Sequence, residues 1–196
     1  NSNLVLDFGY TKGYKNTTAT KKAGEKSHIF GKFFKKFKSQ NNVESNIEIN
    51  FQGVSNKKYL KLYKIDSNLV DYQTNTLQNY IDFSRFDNDN NLFLGIKSSV
   101  SQTLTDTYND KYEFTLPDLL LNKDFFTERF GYGDFESNLS IYNYDTNKTE
   151  RFLINNFDWT FEKSFSDSLY KGEFLTKLKN VNYETKNVEK YKNENT

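Results

Sequence analysis

Hydrophobic and polar residues alternate along most of this chain, and the alternation comes in unusually long runs. Between residues 77 and 84, Leu77, Ile81 and Phe83 fall on one side, with Gln78, Tyr80, Asp82 and Ser84 on the other. Residues 87–91, Asp-Asn-Asp-Asn-Asn, tolerate left-handed backbone and bond their own main chain, so they predict a turn. The chain then returns with Leu92, Leu94, Ile96, Val100 and Leu104 on one side and Gly95, Lys97, Ser99, Ser101 and Thr103 on the other. Two arms of period two about a polar turn predict an antiparallel hairpin with one oily side. Each arm is about twice the length of a common globular strand.

The same signature recurs along the chain. Residues 3–14 alternate through Leu4, Leu6, Phe8 and Tyr10, and residues 27–38 through Ile29, Phe33 and Phe37. Residues 45–54 set Ile47, Ile49 and Phe51 against Asn46, Glu48, Asn50 and Gln52. Polar loops are expected at 15–26 and 105–109. The long connection 56–75 carries Tyr59, Leu60, Leu62, Tyr63 and Ile65 at helical spacing, which predicts a turn or two of helix. Residues 111–121 align Tyr112, Phe114 and Leu116. The chain's single proline, Pro117, cannot donate to a ladder and marks a strand end or a bulge. Three further strands follow: 129–145 with Phe135, Leu139 and Ile141; 150–163 with Leu153, Phe157, Trp159 and Phe161; and 169–183 with Phe174 and Leu178. Turns are expected at 146–148 and 164–168, and a polar tail from 184. About nine strands joined to their sequence neighbours predict an all-β antiparallel up-and-down meander.

Composition decides what the oily side touches. Only 35% of the 196 residues are hydrophobic and the mean hydropathy is -0.85, a thin supply for a two-layer core. A single curled sheet needs one apolar face. A strand crossing a bilayer at a tilt needs roughly 9–11 residues, and an outer-membrane barrel wears its apolar residues outside and its polar ones inside. The expectation is therefore part of a large transmembrane outer-membrane β-barrel, open as a fragment. Its lipid-facing residues would be Ile47, Ile49, Phe51, Leu92, Leu94, Ile96, Leu153, Phe157, Trp159 and Phe161. The 19 Phe and 14 Tyr suit the two membrane interfaces. The alternative is a soluble secreted β-sheet adhesin or carbohydrate-binding module with two stacked sheets. With no methionine and no signal sequence, the chain reads as an interior piece of a longer polypeptide, a single partial barrel domain over 1–196.

Charge and chemistry narrow the partners. The chain has 27 basic and 26 acidic residues, a net +1, so no global field recruits nucleic acid. No cysteine supplies a thiolate, and His28 is the only histidine, so no metal, cofactor or catalytic site is expected. Residues 87–91 lack the glycine and closing glutamate of a calcium loop. The basic run Lys32, Lys35, Lys36 and Lys38 has two readings: a solvated strand rim, or contacts to phosphorylated lipid headgroups.

Short stretches also resemble a known family. Residues 54–65, Val-Ser-Asn-Lys-Lys-Tyr-Leu-Lys-Leu-Tyr-Lys-Ile, look like the loop after an early barrel strand of the lipopolysaccharide-assembly outer-membrane protein family (LptD, or OstA, organic-solvent-tolerance protein). Residues 76–79 and 110–117, the latter ending in Leu-Pro, are similar to that family's next hairpin. Residues 178–183 and 10–14 resemble a later and an earlier strand. The resemblance implies a wall segment in the N-terminal half of a barrel of up to about 26 strands, located in the cell outer membrane. It further implies an LptE-type plug lipoprotein, periplasmic Lpt bridge proteins and lipopolysaccharide as partners. Transport would run through a lateral gate without covalent chemistry. Another large outer-membrane barrel, a porin or receptor-type transporter, remains the alternative inside membranes.

Overall fold

A computed structural model describes residues 1–12, 24–39, 42–105, 110–165 and 170–188. The strands are β1 (Ser2–Thr11), β2 (Lys26–Lys38), β3 (Val43–Val54), β4 (Thr76–Asp87), β5 (Leu92–Thr103), β6 (Tyr112–Thr127), β7 (Gly131–Tyr144), β8 (Thr149–Phe165) and β9 (Tyr170–Lys186). One short helix, α1 (Tyr59–Tyr63), lies between β3 and β4. All nine strands form one antiparallel sheet in sequence order, with β1 and β9 at its edges. The sheet is not closed into a barrel. Much of the predicted loop 15–26, the turns at 105–109 and 164–168 and the end of the polar tail lie outside the described residues.

The meander follows from chain economy. Each oily run ends in residues that accept unusual backbone, so the next run folds back on its predecessor. Asn42, Asn91 and Asn147 take positive φ (50°, 47° and 58°) at the β2–β3, β4–β5 and β7–β8 turns. The turn at 87–91 closes as predicted, with Asp87 Oδ1 accepting from the Asn90 backbone N–H at 3.1 Å.

Pro117 resolves to the second of its two expectations. It lies within β6, which continues to Thr127 instead of ending near Leu121. Register slips between Lys97 and Ser99 on β5 and between Thr115 and Asp118 on β6, leaving Ser98, Leu116 and Pro117 out of the ladder there. A residue without an N–H is accommodated where no ladder bond is required of it.

Burial is concentrated in one place. Phe30, Tyr59, Leu60, Val70, Leu77 and Leu104 form a buried cluster where the 55–75 connection meets the sheet. Leu77, expected on the oily side with Ile81, is fully buried in this cluster while Ile81 is 54% exposed. Helix α1 appears where the tyrosine and leucine spacing placed it, and it stops at Lys64, whose φ is 48°.

Gly131 opens β7 with φ +78°, and a Cβ there would lie 2.2 Å from the Thr160 carbonyl oxygen. A Cβ at Gly24, by contrast, would meet nothing within 4 Å. Gly131→Ala should lower the unfolding free energy by about 1–3 kcal/mol, and Gly24→Ala should leave it within about 0.5 kcal/mol. Denaturant titration followed by far-ultraviolet circular dichroism reads both.

Candidate functional site

Residues directly opposed in an antiparallel pair share a face, so the register assigns every strand position to one side. One row runs Ile47, Phe83, Ile96, Leu119, Leu139 and Leu153 across β3 to β8. A second joins Leu4, Phe33, Ile49 and Ile81. A third joins Leu92, Lys123, Phe135, Phe157 and Leu178. The ten residues expected to face lipid, Ile47, Ile49, Phe51, Leu92, Leu94, Ile96, Leu153, Phe157, Trp159 and Phe161, all fall on this oily face. It is open: Leu6, Phe8, Ile29, Phe174 and Leu178 are each more than half exposed.

The oily band crosses the sheet on a slant. Its centre moves from Leu6 on β1 through Ile49 on β3 and Leu94 on β5 to Thr176 on β9, between Phe174 and Leu178. The row of opposed residues that starts at Ser2 and runs through Ile47, Ile96 and Leu139 arrives on β9 at Asn182; the row of Leu6, four residues further along, lies at Lys186, ten residues beyond Thr176. Ten residues are about 34 Å of strand and eight strand spacings about 38 Å. The band therefore lies at about 40° to the rows. Lys35, Arg85 and Asp87 stand toward the 39–42 and 88–91 turns, and the Arg151–Glu184 pair (3.0 Å) at the opposite end. Lys123 lies between Leu121 and Phe125 but donates to the Asn90 carbonyl of the 88–91 turn. Phe125, Trp159, Phe161 and Phe174 line the border toward the β6–β7 turn. Trp159 stacks on Phe161 at 6.0 Å between centroids and donates from Nε1 to the Phe130 carbonyl at 2.5 Å.

The other face is a hydrogen-bonded polar surface. Lys32 pairs with Glu48 (2.9 Å), and Tyr80 Oη donates to the same carboxylate at 2.5 Å. Asn122 donates to Asp134 (3.0 Å), Asn156 to Glu136 (3.1 Å) and Ser140 to Asp118 (2.7 Å). Asp158 takes Lys177 at 3.4 Å. A groove lined by Asp134, Glu136, Asn156, Asp158, Lys177 and Lys179 runs along β7–β9. The carboxylates thus meet amides and ammonium groups in polar patches, interrupted on β6, β8 and β9 by Leu120, Ile154 and Val181. The face also carries apolar members that alternation did not announce, among them the opposed Phe86 and Phe93.

The basic run divides between the two faces. Lys32, Lys36 and Lys38 lie on the polar face and are held by carboxylates, Lys36 at 2.6 Å and Lys38 at 3.0 Å from Glu44. Lys35 alone turns to the oily side, its ammonium 4.8 Å from the centre of the Phe37 ring. A shared headgroup patch of four lysines is therefore not assembled; period two separates them.

One element that sequence reasoning did not connect is the strap formed by the 55–75 connection. His28 is 8% exposed, with Nδ1 3.3 Å from Tyr59 Oη and Nε2 3.4 Å from Asp7 Oδ1, and its ring stacks on Phe30 at 4.7 Å. The strap is thereby fastened to the polar face of β1 and β2. Gly9 makes room for it, since a Cβ there would meet His28 Cε1 at 2.4 Å. Helical spacing in the connection was the legible half of this signal; the partner histidine lies about thirty residues away.

At the same end of the sheet, Asp110 ties two hairpins together. It is 4% exposed and accepts from the Thr146 backbone N–H (3.2 Å), the Thr146 hydroxyl and the Lys148 ammonium (3.3 Å). Burial opposes its ionisation, but the Thr146 donors and the Lys148 charge outweigh it and hold the carboxyl below the usual carboxylate range. A depressed folded-state value stabilises above the unfolded-state value and stops doing so as pH falls through the folded one.

Compared with known proteins, the chain matches no family model, no curated protein and no solved structure.

Asp110→Asn should cost about 1–3 kcal/mol at pH 7, measured by urea unfolding. The gap from the unchanged chain should close below about pH 4.

Proposed function

We propose that this chain is a section of the wall of a transmembrane β-barrel in the cell outer membrane. The observation that carries the reading is the slanted oily band, uncovered by any second layer among the described residues. Two stacked sheets would have buried Ile49, Leu94 and Trp159 between them; here one sheet is present and the face that bears them is open. A band at about 40° to the rows corresponds to strands tilted by that angle in a flat slab, within the 35–45° of outer-membrane barrels. Aromatics at one border and cations at the edges suit the membrane–water interface.

The connections suit the same reading. Those at 39–42, 88–91 and 128–130 are short, while at the opposite end 12–25 and 55–75 are long and only 145–148 is short, so the short-turn end faces the periplasm and the end with the long loops the exterior. The polar face then lines the lumen, with the strap lying against it near the outer mouth. Acyl chains cover the oily face, and the antiparallel ladder satisfies a backbone that lipid cannot solvate. Passage along such a wall needs no bond to be made or broken.

The resemblance to the lipopolysaccharide-assembly family supplies the cargo in this proposal. On that reading the wall belongs to the barrel that passes lipopolysaccharide to the outer leaflet, with an LptE-type plug docked on the polar face. Depleting the parent protein from cells should reduce surface-accessible lipopolysaccharide. Normal surface lipopolysaccharide after depletion would reject the cargo and leave the wall.

The wall itself has a direct test. Ile81→Arg, on the oily face, should destabilise the bilayer-inserted protein by about 2–4 kcal/mol. Ser84→Arg, three residues along β4 on the polar face, should cost less than about 1 kcal/mol. Equal losses in a vesicle-folding titration would refute the facing.

A further inference from the structure

The oily face is not uniformly filled. At the β5–β6 register slip it holds a hollow of about 360 Å³, lined chiefly by Ile49, Phe51, Ile81, Ser98, Val100 and Leu116. Nearly all of the surface lining it is carbon. It exists because small Ser98 takes a position in the row Leu4, Phe33, Ile49, Ile81, and because Leu116 is displaced from the ladder by the bulge.

Two cations stand on the same face toward the short-turn end. Lys35 is opposed to Ile47, one row from the Ile49–Ile81 row, and Arg85 is opposed to Leu94, two rows from it. A row spans two residues, about 7 Å, so the cations sit about 7–14 Å along the strands from the start of the hollow. Among the described residues Lys35 is in no ion pair, whereas its neighbours Lys32, Lys36 and Lys38 are all matched to carboxylates. Asp87, on the same face two residues beyond Arg85, is held by the Asn90 backbone N–H and side-chain amide in the 88–91 turn, so the border keeps a net positive charge. A carbon-lined slot with that charge at one end is complementary to an amphiphile with an anionic head.

We infer that the oily face of β2–β6 carries a binding site for one anionic phospholipid of the periplasmic leaflet, its phosphate at Lys35 and Arg85 and one acyl chain in the hollow beside Ser98. The inference rests on the proposed wall, because the short-turn end must lie at the periplasmic interface and the hollow within hydrocarbon. Bulk lipid covers the rest of the band without preference. Here the bulge removes the side chain that would exclude a fixed chain, and the two cations select the headgroup.

The test is native mass spectrometry of the full chain folded in detergent micelles, titrated with phosphatidylglycerol or with phosphatidylcholine of the same acyl chains. One retained phosphatidylglycerol is expected, preferred over phosphatidylcholine by about tenfold, the scale set by two cations near an anionic surface. Ser98→Phe should fill the hollow and cut retention of both lipids about fivefold or more. The Lys35→Gln, Arg85→Gln double variant changes only border charges; it should keep binding but bring the preference within about twofold. Equal retention of the two lipids by the unchanged chain overturns the inference, as does full retention by a folded Ser98→Phe protein. Should Ser98→Phe not fold, the border variant decides alone: an unchanged preference overturns the site. A chain that stays monodisperse without detergent overturns the wall itself. One that folds only in micelles but selects no lipid overturns the site and leaves the wall standing.

Discussion

In an antiparallel ladder, directly opposed residues must share a face, and nearly everything in this structure depends on that constraint. Once the nine strands pair in order, Ile47 is committed to the side of Phe83, Ile96, Leu119, Leu139 and Leu153, and a slip of one residue would turn every one of them over. The oily band is thus a property of registers rather than of any single strand. Its slant has the same origin. Each successive strand centres its apolar run further along the row, so a level hydrocarbon slab fits the sheet only when the strands tilt.

The same constraint explains why the lysine run does not act as a unit. Lys32 and Lys36 are separated from Lys35 by the pleat, and Glu48 and Glu44, each set diagonally across β3 on the polar face, collect their ammonium groups. A charge left on the oily side has no such partner across the strand. It comes to rest at a border, over an aromatic ring in the case of Lys35. Arg151 and Glu184 solve the problem at the opposite border by pairing with one another. Exposed pairs of this kind contribute little stability, so what they report is position rather than strength.

The strands were legible because alternation is a local signal. Leu4–Leu6–Phe8, Ile47–Ile49–Phe51 and Leu153–Phe157–Trp159 each state their own period, and the asparagine-rich turn at 87–91 states where the chain reverses. What escaped depends on residues far apart in sequence. Period two alone assigned Leu77 to the oily side, but the strap places Tyr59, Leu60 and Val70 in one buried cluster with it. His28 looked ordinary in isolation, because Tyr59 and Asp7, its hydrogen-bond partners, come from other elements. Pro117 allowed two outcomes, and the choice of bulge over strand end was made by the pairing of β6 with Leu92 and Leu94, beyond the proline. The hollow beside Ser98 had no sequence signal, since a serine in a strand is unremarkable until its neighbours across the ladder are known.

One feature of the oily face runs against its character, and its geometry explains how it is tolerated. Ser137, Asn155 and Asn180 occupy one row across β7, β8 and β9, within or beside the apolar band. Ser137 Oγ donates to Asn155 Oδ1 at 2.7 Å, and Asn155 Nδ2 donates to Asn180 Oδ1 at 3.4 Å. Amides and hydroxyls placed singly among apolar side chains would each forfeit bonds to water once that face is covered. Placed in a row, they bond sideways to one another, and the unfavourable transfer shrinks to that of the groups left over at the ends. The ladder therefore belongs to three strands together: removing Asn155 from the middle would strand Ser137, while Asn180 would keep the bond it accepts from Asn182 Nδ2. The register that lines up these three polar groups is the same one that assembles the oily band around them.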